Sequence, residues 1–430
     1  MMKAKVITLG CKVNQYESEA MLSSLLQHGF AAAEDKETAD VVILNSCTVT
    51  AESDRKVRQI FRRAKKDNPD AVMVLTGCMA QAFPEDARRL EEADIILGTS
   101  NRKRLVPDLL AFLSARQRII DIAPHTNDEK FENLNVENFT GRTRAFVKIE
   151  DGCNRFCSYC IIPYARGRVR SKPLEDLKAE LAGLGANGYK EVVLTGINLS
   201  AYGQEFGLHL CDAIEAACAT PGIERVRLGS LEPEQLSEDV IRRMAKQKKL
   251  CPQFHLSLQS GCDATLKSMN RHYTADEYRT IVRNLRAAFE NAAITTDIMV
   301  GFAGETDEEF AKSLAFAEEI AFAKVHVFAY SRRPGTRAYD MGDQLTNAVK
   351  EARSHEMIRV TTATQQAFFK AQIGRTEEVL FEREIQKGVW EGYSMNYTPV
   401  AVASGTSLAG EIRAVRIESC TDTHCMGVVL

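Results

Sequence analysis

The sequence lacks any apolar run near the ~20 residues that a membrane-spanning helix needs, and it has no short repeat or low-complexity tract. It also lacks an excess of either charge. The formal net charge of −3 gives no global basic field that would indicate nucleic acid. The first residues, MMKAKVITLGC, lack the apolar stretch and cleavage site of a signal peptide. We therefore expect a cytoplasmic protein with reduced thiols, in which the twelve cysteines have a role other than disulfides.

The composition is that of a folded chain with a sizeable core. Of 430 residues, 45% are apolar and 26% charged, which excludes a disordered, collagenous or coiled-coil protein. Four buried-strand runs alternate with amphipathic stretches in the first hundred residues: KVITLG (5–10), VVILNS (41–46), VMVLTG (72–77) and DIILG (94–98). This alternation predicts an α/β domain with a doubly wound parallel sheet.

The rest of the chain divides into three parts. We place the first domain at 1–112 and, because 113–140 is polar and rich in asparagine, a linker there. Residues 141–370 hold six βα units, which suit a partial parallel (β/α) barrel of the TIM type. Residues 371–430 contain short strands separated by turn residues, which predict a small antiparallel β-barrel.

The sharpest motif is DGCNRFCSYC, residues 151–160, which places Cys153, Cys157 and Cys160 in a C-x3-C-x2-C spacing. Three thiolates on one short loop can bind three irons of a four-iron cluster and leave the fourth iron open. The loop follows the strand RAFVKIE, and active sites of parallel barrels lie at that end of the strands. The alternative is a zinc site completed by a distant ligand, although zinc motifs usually contain C-x2-C pairs.

A second set of cysteines is related by topology. Cys11, Cys47 and Cys78 each directly follow a predicted buried strand. The carboxyl ends of parallel strands share one edge of the sheet, so these thiols are expected to meet there. The functional interpretation is a second cluster with an open iron that faces the first. The alternative is three unrelated buried thiols, which behave as small hydrophobic groups.

The loop motif resembles that of the radical S-adenosylmethionine enzymes. The resemblance implies that the open iron chelates the methionine part of S-adenosylmethionine, and that the reduced cluster cleaves it to a 5′-deoxyadenosyl radical. It also implies cofactor-side positions, each of which has a plain structural role as its alternative. These are Tyr159, Gly196, Asn198, Asp297 and Gly301.

Over essentially its whole length the chain is similar to the methylthiotransferases of that superfamily, which replace C–H by C–S–CH3. The terminal module resembles a TRAM domain, an RNA-binding barrel. Substrates in this group are a tRNA adenosine next to the anticodon or an aspartate of a ribosomal protein. GCKVNQYES (10–18), HLSLQSGCDATLKSMNRHY (255–273) and FAYSRRPGTRA (328–338) are similar to members that act on N6-threonylcarbamoyladenosine. Ala329 departs from that pattern, where proline is expected, and this affects only the expected loop shape.

Two locally basic runs predict an RNA-binding surface, although the net charge of the chain is slightly negative. From residue 55 to residue 66 there are seven basic residues and no acidic one, including Arg58 and Arg62. Beside the cluster loop, ARGRVRSK (165–172) contains Arg166, Arg168 and Arg170, which we expect to contact phosphates. The alternative for both runs is a solvated face. In the terminal module the groups available for RNA contact are Arg375, Arg383, Trp390, Tyr393 and Tyr397.

Together these features predict a tRNA methylthiotransferase with two [4Fe-4S] clusters and two molecules of S-adenosylmethionine per turnover. Its expected partners are the tRNA anticodon loop and an electron donor such as flavodoxin or ferredoxin, with no membrane. The sulfur donor and the order of the sulfur and methyl steps stay open. The rivals are the same chemistry on isopentenyl-adenosine or a ribosomal-protein aspartate, and a non-catalytic protein that binds zinc and RNA.

Overall fold

The structure, a computed structural model, describes residues 1–34, 37–134, 136, 139 and 141–430. Four positions of the expected linker, 135, 137, 138 and 140, lie outside the described residues. No helix among the described residues is long and apolar enough to cross a membrane. The chain folds into two α/β units and a terminal β-barrel, as the sequence predicts.

The N-terminal unit is a six-stranded parallel sheet with helices on both faces. Its strands run in the order β2-β1-β3-β4-β5-β6. The elements are β1 (Lys3–Thr8), α1 (Lys12–Gln27), β2 (Ala31–Ala32), β3 (Val41–Ser46), α2 (Ala51–Asp67), β4 (Val72–Gly77), α3 (Cys78–Ala82), α4 (Pro84–Arg88), β5 (Ile95–Leu97), α5 (Leu105–Ala115) and β6 (Ile119–Asp121).

This unit extends beyond residue 112, where the sequence had suggested its end. Helix α5 continues to Ala115, and β6 pairs in parallel with β5, so that Ile119 lies opposite Ile95. The sequence gives little indication of β6, because the strand has three residues and polar residues follow it. Part of the expected linker is therefore the edge of the sheet.

Strands β3 and β4 form the centre of this sheet, and every residue in both is buried. Successive side chains point to opposite faces, so Val42 and Leu44 contribute to one apolar cluster and Val41 and Ile43 to the other. Each such burial stabilises the fold by about 1.5–3 kcal/mol. Burial on both faces explains why these runs are continuously apolar. Cys47 and Cys78 come directly after these two strands, and therefore lie at the carboxyl edge of the sheet.

The central unit is an open parallel barrel. Its strands form two arcs, β11-β10-β7 and β12-β13-β14-β15, with a short antiparallel pair β8-β9 beside the first. The elements are β7 (Arg144–Lys148), β8 (Glu150–Asp151), α6 (Ile162–Arg166), β9 (Arg170–Ser171), α7 (Leu174–Ala186), β10 (Glu191–Thr195), α8 (Leu210–Ala219), β11 (Arg225–Leu228), β12 (Ser230–Leu231), α9 (Glu238–Ala245), β13 (Gln253–Leu256), α10 (Asp263–Ser268), α11 (Ala275–Ala288), β14 (Ala293–Val300), α12 (Asp307–Ile320), β15 (Lys324–Ala329) and α13 (Asn347–Lys370).

The terminal module is a closed five-stranded barrel in the order β16-β17-β18-β20-β19. Its pairs are antiparallel except β18 with β20, which are parallel. Its strands are β16 (Thr376–Gln386), β17 (Val389–Ser394), β18 (Pro399–Ala403), β19 (Ile412–Cys420) and β20 (Cys425–Val429). Two buried arginines of β11 fix it to the central unit. Arg225 donates to the carbonyl of Glu378 at 2.7 Å, and Arg227 donates to that of Met395 at 2.9 Å.

Candidate active site between two sets of cysteines

The loop after β8 carries Cys153, Cys157 and Cys160 at the carboxyl end of the barrel strands. The N–H of Cys160 donates to the Cys157 carbonyl at 2.9 Å, and the N–H of Cys153 donates to the Gly167 carbonyl at 3.0 Å. The loop therefore curls back on itself and is tied to the end of α6. All three cysteines line one cavity of about 360 Å³.

The same cavity receives residues from the N-terminal unit. Cys11, Val49 and Thr50 line it together with the barrel loop. The remaining wall includes Arg155, Tyr159, Ile161, Ile162, Gly196, Ile197, Ser230, Glu232, Gln259, Arg271, Asp297, Met299, Phe328, Ala329, Tyr330 and Ser331. Both cysteine-bearing regions therefore open onto one reaction space.

Cys11, Cys47 and Cys78 meet at one edge of the N-terminal sheet, as the strand-end argument predicts for their placement. A Cβ built on Gly10 would lie 3.2 Å from the Cys47 Sγ, so the backbone beside Cys11 abuts that thiol. Cys78 is close enough to Cys47 and Cys11 for electrostatic interaction with both. Cys11 is exposed and faces the cavity, whereas Cys78 is buried at the start of α3.

One buried guanidinium contacts a thiol in each set. The Arg166 Nε donates to the Cys78 Sγ at 3.2 Å, and the Arg271 Nη1 donates to the Cys157 Sγ at 3.2 Å. Burial raises the pKa of Cys78 to about 12, and the Arg166 charge works against that rise. Cationic donors beside sulfur stabilise thiolate, which is the form that binds metal.

Arg166 belongs to a buried ion-pair network that joins the two units. Its guanidinium contacts Glu17 of α1 and donates to the Asn14 Oδ1 at 2.5 Å. Lys148 of β7 also donates to Glu17, at 2.7 Å. A second ion pair between the units joins Arg333 to Asp54 of α2 at 2.6 Å. These cross-unit contacts hold the two cysteine sets face to face.

The network corrects the expectation that Arg166 and Arg170 contact RNA phosphates. The Arg166 side chain is 0% exposed and the Arg170 side chain 6% exposed. Arg170 donates to the Arg166 carbonyl at 2.6 Å and lies 3.4 Å from Asp151. Both cations therefore face protein acceptors. Within this run only Arg168 of the three is exposed.

Two of the five expected cofactor-side residues are not on the cavity wall formed by the described residues, whereas Tyr159, Gly196 and Asp297 are. Asn198 is buried, and its N–H donates to the Glu150 carboxylate at 2.7 Å. Gly301 follows β14 with a φ of +71°, and Lys350 occupies the space where a Cβ would lie. The contacts of these two positions are therefore with Glu150 and Lys350, and neither residue lines the cavity.

Several polar residues of the cavity were not expected from the sequence, among them Arg271, Glu232 and Gln259. Arg271 pairs with Glu232, and both line the cavity. Gln259 also lines it, with a φ of +67°, and its Oε1 is buried without a hydrogen-bond partner among the described residues. Glu232 and Gln259 lie just beyond the carboxyl ends of β12 and β13, which is the signal that could have indicated them, whereas Arg271 lies between α10 and α11 and has no such signal.

The interior of the barrel below the cavity is charged. Arg227 pairs with Glu191 at 2.8 Å, and His255 lies 3.2 Å from Asp297. The amine of Lys12, the first residue of α1, interacts electrostatically with Arg227, Arg144 and Glu191. Burial, followed by the nearby charges of Arg227 and Arg144, lowers the pKa of Lys12 to about 8. No carboxylate of the described residues lies within 4 Å of this amine.

The other expected RNA-contact groups are mostly engaged within the protein. Arg62 on α2 pairs with Glu92 at 3.2 Å, whereas Arg58 is half-buried and has no ion pair among the described residues. In the terminal barrel Tyr393 and Tyr397 stack on each other at 4.7 Å, with Arg144 over both rings. Ion pairs or packing also engage the rest, namely Arg375, Arg383 and Trp390.

The cysteine donors fit iron–sulfur clusters better than single metal ions. Among the described residues, no three Cys, His, Asp or Glu side chains converge as a group that could hold one ion. Thiolates on one zinc ion lie about 2.3 Å from it and hence close to one another. A cluster presents three separate irons, so its thiolates stand farther apart around a larger body. Each set offers three thiols with a guanidinium beside one of them, and three thiolates are a donor set that can hold a four-iron cluster with one iron open.

Comparison with known proteins agrees with this geometry. Residues 147–317 match the model of the radical SAM superfamily, and residues 3–98 match that of uncharacterized protein family UPF0004. A solved structure of the radical S-adenosylmethionine methyltransferase TsrM from Kitasatospora setae is similar in fold. Its TM-score is 0.58 at 15% identity, with 79% of this chain and 74% of that one covered. The fold and the cysteine loop thus define a radical S-adenosylmethionine enzyme.

Two curated relatives show which family of radical S-adenosylmethionine enzymes the chain belongs to. The chain is 36% identical to the threonylcarbamoyladenosine tRNA methylthiotransferase MtaB of Bacillus subtilis, over 95% of this chain and 92% of the relative. It is 34% identical to a tRNA-2-methylthio-N(6)-dimethylallyladenosine synthase of Pelotomaculum thermopropionicum, over 100% of this chain and 98% of that relative. The protein belongs to the radical S-adenosylmethionine tRNA methylthiotransferase family.

Proposed function

We propose that this enzyme methylthiolates C2 of N6-threonylcarbamoyladenosine at tRNA position 37, next to the anticodon. It would use two [4Fe-4S] clusters and two molecules of S-adenosylmethionine. The observation that carries the proposal is that one cavity is lined by Cys11 of the N-terminal set and by Cys153, Cys157 and Cys160 of the barrel set. A reaction that needs a radical and a sulfur at the same carbon requires that arrangement.

When bound, the barrel cluster and S-adenosylmethionine supply the radical chemistry, and the N-terminal cluster supplies sulfur. Cys153, Cys157 and Cys160 would hold the first cluster, and Cys11, Cys47 and Cys78 the second. Tyr159, which packs edge-on against Phe302, would position the cofactor from the cavity wall. Arg166 and Arg271 would keep one thiolate of each set charged and exclude water from it.

The charged barrel interior favours the threonylcarbamoyl substituent over an isopentenyl one. Threonylcarbamoyl carries a carboxylate, whereas isopentenyl is apolar. Lys12, beside Cys11, has no carboxylate partner within 4 Å among the described residues, and Arg144 and Arg227 lie near it. Lys12 is not on the wall of the cavity that the described residues form, so the substituent would extend beyond that wall to reach it; there an unpaired cation would suit an anionic substituent and disfavour an apolar one.

The proposal has implications for partners and domains. The substrate would be the tRNA anticodon loop, in the cytoplasm, and the terminal barrel at 371–430 would take part in binding it. A reductant such as flavodoxin or ferredoxin would deliver electrons.

Mass spectrometry of tRNA nucleosides from a deletion strain tests the proposal. We expect 2-methylthio-N6-threonylcarbamoyladenosine to disappear, unmodified N6-threonylcarbamoyladenosine to accumulate, and the plasmid-borne gene to restore the product. Loss of the methylthio-isopentenyl nucleoside instead would assign the other substrate. Unchanged tRNA with loss of a modified ribosomal protein would reject the tRNA assignment.

A further inference from the structure

Two aromatic side chains, one on the cysteine loop and one on the helix that follows it, are exposed although apolar rings are ordinarily buried. Phe156, between Cys153 and Cys157, is 38% exposed, and Tyr164 on α6 is 52% exposed. Among the described residues, Phe206 is the other aromatic side chain with comparable exposure. Two of these three rings are therefore adjacent to each other and to the candidate active site.

These rings form an ordered surface with one cation. The centroids of Phe156 and Tyr164 are 5.9 Å apart at an interplanar angle of 82°. The Arg168 guanidinium lies over the Phe156 ring, 5.2 Å from its centroid. Arg168 is exposed, and no carboxylate of the described residues lies within 4 Å of it. We name Phe156, Tyr164 and Arg168 the aromatic platform.

The backbone holds Phe156 in this exposed position. Its φ of +48° lies in the left-handed region, which bulky residues rarely adopt. The side-chain amide of Asn270 donates to the Phe156 carbonyl at 3.1 Å and fixes that conformation. Strained residues of this kind persist at binding sites when the surroundings impose them. The fold therefore presents the ring outward from the cluster loop.

We infer that the aromatic platform stacks one unpaired base of the RNA substrate, next to the nucleoside that enters the cavity. This inference rests on the proposed function. A nucleoside that enters the cavity must leave the stack of the anticodon loop, which uncovers the face of a neighbouring base. Aromatic rings and guanidinium planes bind such faces, and an unpaired arginine adds attraction for the adjacent phosphate. The terminal barrel offers no equivalent surface among its described tyrosines, because Tyr393 and Tyr397 stack on each other.

The test measures tRNA affinity of the cluster-loaded, full-length enzyme with Phe156→Leu, Tyr164→Leu and Phe156→Trp. Leucine keeps apolar bulk but removes the ring face, so each leucine variant should bind about 5- to 100-fold more weakly. Tryptophan restores a ring face and should stay within about twofold of wild type. Iron content per chain shows whether each variant keeps its loop. The matched control is Phe206→Leu, an exposed phenylalanine outside the platform, which should bind like wild type.

Salt dependence separates stacking from charge. Arg168→Ala should lower the log–log salt slope by about 0.7–0.9, the value for one lost phosphate contact, whereas Phe156→Leu should leave the slope unchanged. Wild-type affinity of both leucine variants, in an enzyme that still makes product, would overturn the platform and leave the proposed function standing. Slower reduction by an electron-donor protein with unchanged tRNA affinity would also overturn it, since the platform would then bind that protein. Wild-type enzyme that makes no methylthio product on tRNA would reject the proposed function itself.

Discussion

The two cysteine sets reach the same cavity by opposite routes. In the barrel set, one loop at residues 153–160 provides all three thiols, and local backbone bonds shape it. In the N-terminal set, the thiols lie between residues 11 and 78 and meet only because three parallel strands end at one edge. The first site is encoded locally, whereas the second depends on the whole sheet and on Arg166 from the other unit. Mutations at one site should therefore impair its function without impairing that of the other.

The largest effect is expected from Cys157→Ala. Loss of one of three ligands should abolish the cleavage of S-adenosylmethionine to 5′-deoxyadenosine under reduction. The matched control is Cys218→Ala on α8, a buried thiol in the apolar core, which should lose only packing energy. Chromatography of the nucleoside product gives the readout. Normal 5′-deoxyadenosine from Cys157→Ala would contradict the ligand assignment.

Each cysteine set has a neighbouring glycine, so the same substitution, glycine to alanine, can disturb either set. Gly152 has a φ of +85°, and the Arg168 carbonyl occupies the space of a Cβ, so Gly152→Ala should distort the barrel loop and stop the cleavage. Gly77 has a φ of +96°, with the Ser46 backbone 2.5 Å from a built Cβ. Gly77→Ala should keep the cleavage but lose methylthio product, because it disturbs the edge that holds Cys78.

Gly188→Ala is the control for both substitutions. Gly188 also has a φ of +85°, yet nothing lies within 4 Å of a built Cβ. It should therefore show only the backbone cost of about 1 kcal/mol in unfolding experiments. The same loss of product from Gly188→Ala would mean that general destabilisation, and not local geometry, explains the other two variants.

Arg166→Met tests whether the N-terminal set depends on the other unit. The substitution keeps a long side chain but leaves Glu17 with fewer cationic partners, and it should lower the free energy of unfolding by about 3–5 kcal/mol. Faster hydrogen exchange in α1 and α3 should accompany it, because Arg166 contacts Asn14, Glu17 and Cys78. Wild-type stability and exchange would show that the network does not join the units.

The smallest effect is expected from Arg58→Ala. If this half-buried arginine of α2 contacts a phosphate, its loss should reduce the salt slope of tRNA binding by about 0.7. Arg359→Ala on α13, an exposed arginine paired with Glu356 at 2.7 Å, is the control. An unchanged slope for Arg58→Ala would identify the basic run of α2 as a solvated face.

The sequence was most informative where a pattern is local or periodic. Continuous apolar runs predict β3 and β4, and cysteine spacing predicts the barrel loop. It was least informative about partners that are distant in the chain. Arg166 and Arg170 look like a basic patch in the sequence, but their carboxylate partners Glu17 and Asp151 lie elsewhere and bury them. Arg271, which contacts Cys157 across more than a hundred residues, had no local signal.

Gly301 and Phe156 show a second limit of prediction from sequence, which is the backbone conformation of single residues. Gly301 follows a strand at the expected end of the barrel, yet it does not line the cavity: its φ is +71°, and Lys350 occupies the space where a Cβ would lie. Phe156 resembles an ordinary apolar loop residue in the sequence. Its exposure follows from a left-handed backbone conformation that Asn270 fixes from a distant part of the chain. Backbone conformation at a single residue determines both outcomes, and residue type alone does not specify it.

The central claim is that the two cysteine sets hold separate clusters with different tasks. The triple variant Cys11→Ala, Cys47→Ala, Cys78→Ala tests it most directly, and the single variant Cys11→Ala, at an exposed site, repeats the test with less risk to folding. After anaerobic reconstitution, the triple variant should hold about half the wild-type iron, as expected for one cluster in place of two. It should cleave S-adenosylmethionine to 5′-deoxyadenosine and make no methylthio product. Methylthiolated tRNA from the well-folded variant, or full iron content, would contradict the two-cluster account.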